Sequence, residues 1–261
     1  MLFRSNRLVN YVGYRTVASH ADLVLAHSDF ASARMKRLYG VRRVVVVPIG
    51  NFDGCYPVPR ARLDTLRELG LDPDLPVVSC LGAIRRYKGI KTALDAVAAL
   101  GGRVQLVVAG AMNADVDIRD LWPTAAPPWL RLLPHRLSDQ QFADLAEASD
   151  AILLPYRRAT TSAVLLTAWT LGRGVVASDL PCFADELTAH PGAGTLAAVG
   201  DAHEFTAAIM RYLAIPRDVR TMAARTAADS HNWSLCVRPL ADELALIGRS
   251  AFPQRELQAR A

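Results

Sequence analysis

Val77 to Leu100 reads VVSCLGAIRRYKGIKTALDAVAAL, and three kinds of sequence follow one another within it. Val77 to Leu81 is a short, nearly uninterrupted apolar run, as expected of a strand covered on both faces. Gly82 interrupts the run, and Arg85, Arg86 and Lys88 then gather within four positions. Lys88 to Leu100 reads as a helix. Strand, turn and helix make the first half of a βαβ unit, whose next strand runs parallel to the first.

The same alternation continues outward. Val104 to Ala109, Leu130 to Leu133, Ala151 to Leu154 and Val175 to Ser178 read as further strands. Ser138 to Ala148 and Ser162 to Leu171 read as helices, with a weaker helical signal in MNADVDIRDLW. Five strands with helices between them complete a doubly wound α/β domain with a parallel sheet. Upstream, ARLDTLRELG from Ala61 is a short helix closed by Gly70. Ile49 to Pro59, IGNFDGCYPVP, is dense in turn formers and reads as a linker. Before it, Asp22 to His27 and Val44 to Pro48 are strands around a helix that Ser28 or Asp29 caps and Gly40 ends. Downstream, Ala202 to Leu213, Arg217 to Ala228 and Ser234 to Ile247 are helices, and PQRELQARA is a frayed end. The expected division is a first domain and linker over 1–54, a second domain over 55–232, and a C-terminal helix and tail over 233–261. Two strands are too few for a sheet of their own, so the first domain reads as the remnant of a larger one.

Composition narrows the function. Half of the 261 residues are hydrophobic and a fifth are charged, which is the balance of a folded globule. No apolar run is long enough to cross a bilayer, and the start lacks a secretory pattern, so a cytoplasmic location is expected. Cys55, Cys80, Cys182 and Cys236 are widely spaced and the six histidines form no HExxH pair. Neither a disulfide framework nor a protein-held metal is indicated. The net charge of +5 suits an anionic partner. Nucleic acid is disfavoured, because no zinc-finger or RNA-binding signature accompanies the charge. If residues 2–18 are helical, Arg4, Arg7 and Arg15 share one face and Leu2, Val9, Val12 and Val17 another. That pattern serves either a peripheral contact with anionic lipid or a helix packed on the first domain.

Two segments carry the candidate chemistry. Cys80 to Gly89 leaves the carboxyl end of a strand, where ligands of open α/β sheets bind. Gly82 admits a close ligand, three cations follow, and the next helix adds its amide end. These features suit a diphosphate, and a solvated basic loop would look the same. Leu153 to Val164, LLPYRRATTSAV, also leaves a strand and enters a helix. Thr160, Thr161 and Ser162 offer hydroxyls and the helix offers free amides. Plain capping by Ser162 or Thr161 would use the same residues. A nucleoside diphosphate is long enough to touch both segments. A nicotinamide-dependent dehydrogenase is a poor reading, since no GxGxxG follows a strand and opens a helix.

In the order ADLVLAHS, VVVVPIGN, LGAIRRYKG, VQLVVAG, ASDAILLPY and TTSAVLLTAWTLGRGVVASD, the chain resembles the family-four glycosyltransferases of the GT-B fold over nearly its whole length. It is most similar to a branch with an IRxYKG loop and a PYR loop. The resemblance implies transfer of a sugar from a nucleotide diphosphate sugar to a glycan or lipid-linked acceptor, with no cofactor beyond that donor. It implies that Lys88, helped by Arg85, contacts the donor diphosphate. Gly82, Arg86 and Thr160, Thr161, Ser162, Ala163 and Thr167 would complete the donor site. The turn from His135 through Arg136 to Asp139 would lie near the base, and the Trp233 helix would cross back to the first domain. Several positions depart from the family pattern. Ala83 stands where an arginine is common. Ala159 and Thr167 replace the paired glutamates, and Ala163 replaces a glycine. Gly174 replaces a proline, and Ile49 stands where a histidine is often found. The first domain normally supplies the acceptor site, and only about fifty residues precede the linker. The expectation is therefore an N-terminally truncated enzyme whose missing half another chain could supply. The alternative is a non-catalytic nucleotide-binding or assembly module.

Overall fold

A sequence that alternates buried strands with one-sided helices stacks into helix, sheet and helix layers, and the computed structural model shows this arrangement. It describes residues 7–116, 118–121 and 126–251. The chain divides into two units, one of residues up to Gly50 with those from His231 onward, the other Asn51–Ser230.

The smaller unit begins with α1 (Arg7–His20), β1 (Val24–Ala26), α2 (Asp29–Tyr39) and β2 (Val44–Val46). β1 and β2 form a two-stranded parallel sheet, with Val24 opposite Val44 and Ala26 opposite Val46. Ser28 caps α2 by accepting from the Ala31 amide at 3.1 Å, and Gly40 closes it at φ 68°. The unit is completed by α11 (Trp233–Cys236) and α12 (Arg238–Ala251), whereas the sequence reads as one helix there. Gly50 lies under the Trp233 indole: a Cβ on it would sit 2.3 Å from the ring. Arg43 pairs with Glu243 of α12. Val12 and Val17 of α1 are exposed. Arg15, of the opposite set, is exposed as well; the other residues of the 2–18 pattern precede Tyr11, and their side chains lie outside the described residues, as does PQRELQARA.

The larger unit runs α3 (Arg62–Glu68), β3 (Val77–Leu81), α4 (Ile90–Ala98), β4 (Gln105–Ala109), α5 (Ile118–Leu121), β5 (Leu130–Leu133), α6 (Asp139–Ala148), β6 (Ala151–Leu154), α7 (Ala163–Thr170), β7 (Val175–Ser178), α8 (Pro181–Ala189), β8 (Gly194–Ala197), α9 (Ala202–Leu213) and α10 (Arg217–Asp229). Its six parallel strands lie in the order β5-β4-β3-β6-β7-β8. The period of two along β3 separates two cores. Val77 and Leu81 join α3, α6, α7, α8 and α10 on one face; Val78 and Cys80 join α4 and α9 on the other. At the amino ends of the strands, Asp150 accepts from the Val77 amide at 2.9 Å and from Arg62 and Arg217 at 3.0 and 2.7 Å. This carboxylate ties β3 to β6 below the sheet.

The larger unit departs from the sequence expectation in two places. α8 and β8 add a helix and a sixth strand after Ser178. No element is expected there from the sequence, and HPGAGTLA carries two glycines and a proline, residues that favour turns over strands. Gly194, however, serves a close strand approach, since a Cβ there would meet the Val175 carbonyl oxygen at 2.5 Å. α4 starts at Ile90 rather than Lys88, because Arg86–Lys88 forms a 3₁₀ turn that Gly89 ends at φ 66°.

The two units differ in how much they bury. Ala26, Val41, Val45, Val47 and Cys236 are the buried apolar residues of the smaller one among the described residues, whereas both faces of the six-stranded sheet are covered in the larger. Local opening free energy follows buried contact. Amides of β1 and β2 are expected to exchange hydrogen at least roughly tenfold faster than those of β3, β4 and β6. Equal protection in hydrogen-exchange mass spectrometry of the monomer would contradict this.

Candidate functional site

β3 and β6 are hydrogen-bonded neighbours, so the loops leaving their carboxyl ends, 82–89 and 155–162, emerge side by side. Backbone contacts lock them together. The Arg157 amide donates to the Tyr87 carbonyl at 2.8 Å. Gly89 faces the Pro155 carbonyl oxygen so closely that a Cβ would lie 1.9 Å from it. The loop after β4 joins the group through an Ile84–Met112 bridge. Gly110 would place a Cβ 2.1 Å from the Gly82 carbonyl oxygen.

Lys88 lies at the centre. The 3₁₀ turn folds it inward until only 7% of it is exposed. Its Nζ is 5.5 Å from the centroid of the Tyr156 ring and 3.4 Å from the position a Cβ on Gly82 would take. Among the described residues no carboxylate pairs with it. Burial is the main cause that lowers its pKa below the ordinary lysine value; Cys80 acts the other way and Arg85 adds to the lowering. Cys80 is neutral, its thiol pushed up to about 12 chiefly by burial. Burial likewise raises the Tyr156 phenol, with Ser162 beside it. A buried ammonium without a counter-charge is costly unless something anionic completes its surroundings.

α7 points its amide end into the same place. Ser162 is the N-cap, accepting from the Leu165 amide at 3.3 Å. Ala163 and Val164 follow, and helix geometry gives their amides no intrahelical acceptor. Val164 reaches to within 3.7 Å of the Gly82 Cβ position. Thr160 and Thr161 lie just before the cap, Thr160 at a bend. Gly82, Lys88, Ser162 and Ala163 therefore share one cluster, walled by Tyr156 and Val164. The cluster can offer one ammonium and two backbone amides to an anion.

Other expected residues lie elsewhere. Arg85 and Arg86 line a separate cleft with Arg157. Thr167 is buried on α7, donates to the Ala163 carbonyl at 2.9 Å, and faces the Tyr56 phenol. His135 follows β5 and lines a cavity of about 200 Å³ with Arg60, Gln141 and Asp144; Arg136 is exposed beside it. The sequence reading assigned no role to Tyr156 or Cys80, which enclose the lysine. An aromatic residue directly after a strand-ending proline was the available signal. Among the described residues no group of three or more His, Cys, Asp or Glu side chains is placed to hold a metal, and no helix is long and apolar enough to cross a membrane.

The family model described as "Glycosyl transferases group 1" matches residues 75–214, which include all of these loops. The chain is 29% identical over 182 residues to a D-inositol 3-phosphate glycosyltransferase from Actinosynnema mirum, a match that covers 64% of this chain and 43% of that protein. It is 28% identical over 262 residues to a phosphatidyl-myo-inositol mannosyltransferase from Propionibacterium freudenreichii subsp. shermanii, covering 97% of this chain and 64% of that protein. The chain thus spans less than two thirds of the length of these two relatives. In solved structures, a sucrose-phosphate synthase from Thermosynechococcus elongatus superposes with a TM-score of 0.75 at 21% identity, covering 95% of this chain and 63% of that one. At that identity the likeness concerns the fold.

Proposed function

Because the chain belongs to the glycosyl transferases group 1 family, we propose that its larger unit binds the donor of a nucleotide-sugar-dependent glycosyl transfer, with the donor diphosphate on Lys88 and the start of α7. The observation that supports this reading is the buried, carboxylate-free ammonium of Lys88 beside Gly82 and the α7 amides. When a glycosidic bond to a nucleotide breaks, negative charge grows on the departing diphosphate. A fixed ammonium and amides aimed at that charge stabilise it with no reorganisation at the moment of reaction. The close backbone approaches at Gly89 and Gly110 hold the lysine loop still, as such preorganisation requires. Thr167 does not take part in this reading, since its hydroxyl is used inside the fold. The acceptor is a glycan or a lipid-linked sugar.

In this account the leaving-group charge is met by protein cations and amides, so no protein-bound metal is required. UDP, GDP and ADP, screened singly by thermal shift, should include one that raises the melting temperature. A ligand bound only to the folded state at a hundred times its Kd stabilises by about 2.7 kcal/mol. The shift should persist in excess EDTA. If none of the three nucleotides stabilised the chain, the donor reading would be wrong. A shift that appeared only with magnesium or manganese would remove the metal-free account alone.

A further inference from the structure

The loop after β3 divides its cations between two sides. Lys88 turns toward Gly82, Tyr156 and Val164. Arg85 and Arg86 instead line a cleft of about 340 Å³ together with Lys91 and Arg157. None of Gly82, Lys88, Ser162 or Val164 lines that cleft. Its inner surface is apolar, made by buried Ile84 and Ile90 and half-buried Val116 and Leu121. The cations at the rim are incompletely balanced. Arg86 donates to the Asp115 backbone carbonyl at 3.3 and 3.4 Å, and Lys91 pairs with Asp95. Arg85 and Arg157 are exposed and make no side-chain hydrogen bond or ion pair among the described residues. Among the described residues Asp115 is the one carboxylate in the lining. Among the described residues, four cations set against Asp115 and Asp95 leave two positive charges in excess.

An apolar inner surface under a cationic rim selects a ligand with the same two halves. A free phosphate or a polar phosphate ester would engage the arginines and leave the isoleucine side uncovered. A neutral apolar molecule would leave the guanidinium groups unpaired. We propose that this cleft binds a phosphate ester carried on an apolar chain, the chemistry of an anionic lipid headgroup, at a site separate from the Lys88 cluster. Guanidinium groups suit the phosphate because their planar N–H donors match its oxygens in pairs. The cleft is near the lower end of the range of small-molecule sites, about 300–1,000 Å³. It therefore accommodates the headgroup and the first few carbons of a chain, not a whole acyl tail. The inference does not depend on the donor reading.

Dihexanoylphosphatidic acid, below its micelle concentration, is titrated calorimetrically into the full chain, with glycerol 3-phosphate and inorganic phosphate in parallel. The short-chain lipid should bind one to one and roughly tenfold or more tighter than either polar phosphate. Arg157→Glu with Lys91→Glu should weaken it by roughly tenfold or more at an unchanged melting temperature, and Lys88→Ala should leave it unaltered. Excess UDP or GDP should not displace it. Sedimentation with phosphatidylcholine vesicles, with and without phosphatidylglycerol, identifies the source. Retention by the anionic vesicles assigns the cleft to membrane lipid, and retention by neither assigns it to a soluble amphiphilic phosphate ester. Absence of binding, equal affinity for glycerol 3-phosphate, displacement by a nucleotide or indifference to the double charge reversal would each overturn the proposal. Nucleotide stabilisation in the same samples shows separately whether the donor reading stands.

Discussion

Replacing Lys88 with methionine is expected to weaken nucleoside diphosphate binding by roughly tenfold to a hundredfold, with the melting temperature unchanged or raised. The first half follows from the charge. A charged hydrogen bond to phosphate is worth roughly 1.5–3 kcal/mol, and each 1.4 kcal/mol is about a factor of ten in affinity. The second half follows from burial. Lys88 is 7% exposed, and its pKa is lowered chiefly because its charge has left water. A lysine with a depressed folded-state pKa penalises folding at pH values below that pKa. The penalty disappears as pH rises through the depressed value toward the unfolded one, so stability rises with pH in that window. Methionine removes both the penalty and this pH dependence, and its flexible thioether fills the space beside Tyr156. Binding has the opposite slope. The anion requires the ammonium, so wild-type affinity should fall as pH rises above the depressed pKa of the free protein, below the pH at which an ordinary lysine would lose its charge. Such a residue trades stability for binding. Calorimetric titration and thermal melts of both proteins test this together. Equal affinities would remove Lys88 from the site, and a melting temperature several degrees lower in the variant would show that the ammonium stabilises the fold.

Where the sequence was legible, the reason was burial on two faces. VVSCL, QLVVA and AILL are almost wholly apolar because helices cover both sides of the sheet, Ser79 and Gln105 being the polar exceptions, and their ends agree with the expected ends within a residue. The sixth strand was hidden because GTLA sits at a sheet edge and opens on a glycine whose role depends on β7. The same distinction holds at the site. Gly82, Lys88 and the Ser162 cap could be read as a group, since position at a strand end and helix capping are local properties. The separation of Lys88 from Arg85 and Arg86 could not be read. It depends on a 3₁₀ turn that reverses direction at Gly89, and on Arg157, about seventy residues away, closing the other cleft. Thr167 is a similar case: spacing places it one turn into α7, but only packing shows that its hydroxyl is turned inward toward Ala163 and Tyr56.

Gly89→Ala is expected to destabilise the larger unit well beyond the ordinary effect of a left-handed glycine, and to abolish nucleotide binding with it. Gly89 has φ 66°, a conformation that costs a residue with a Cβ roughly 1–2 kcal/mol. Gly54 has φ 72° and open space where its Cβ would go, so Gly54→Ala measures that backbone cost by itself. At Gly89 the added carbon would lie 1.9 Å from the Pro155 carbonyl oxygen. The oxygen belongs to the backbone and a Cβ is fixed by it, so neither can move aside by changing rotamer. The loops after β3 and β6 must separate, which breaks the Arg157–Tyr87 hydrogen bond and carries Lys88 away from Tyr156 and α7. Overpacking of this kind costs a further 1–3 kcal/mol or about that, for a total of about 2–5 kcal/mol. Denaturant unfolding of the two variants gives the difference, and calorimetry at a temperature where both are folded gives the binding. If Gly89→Ala cost no more than Gly54→Ala and bound nucleotide as the wild type does, the two loops would not be in the backbone contact on which the geometry of the site depends.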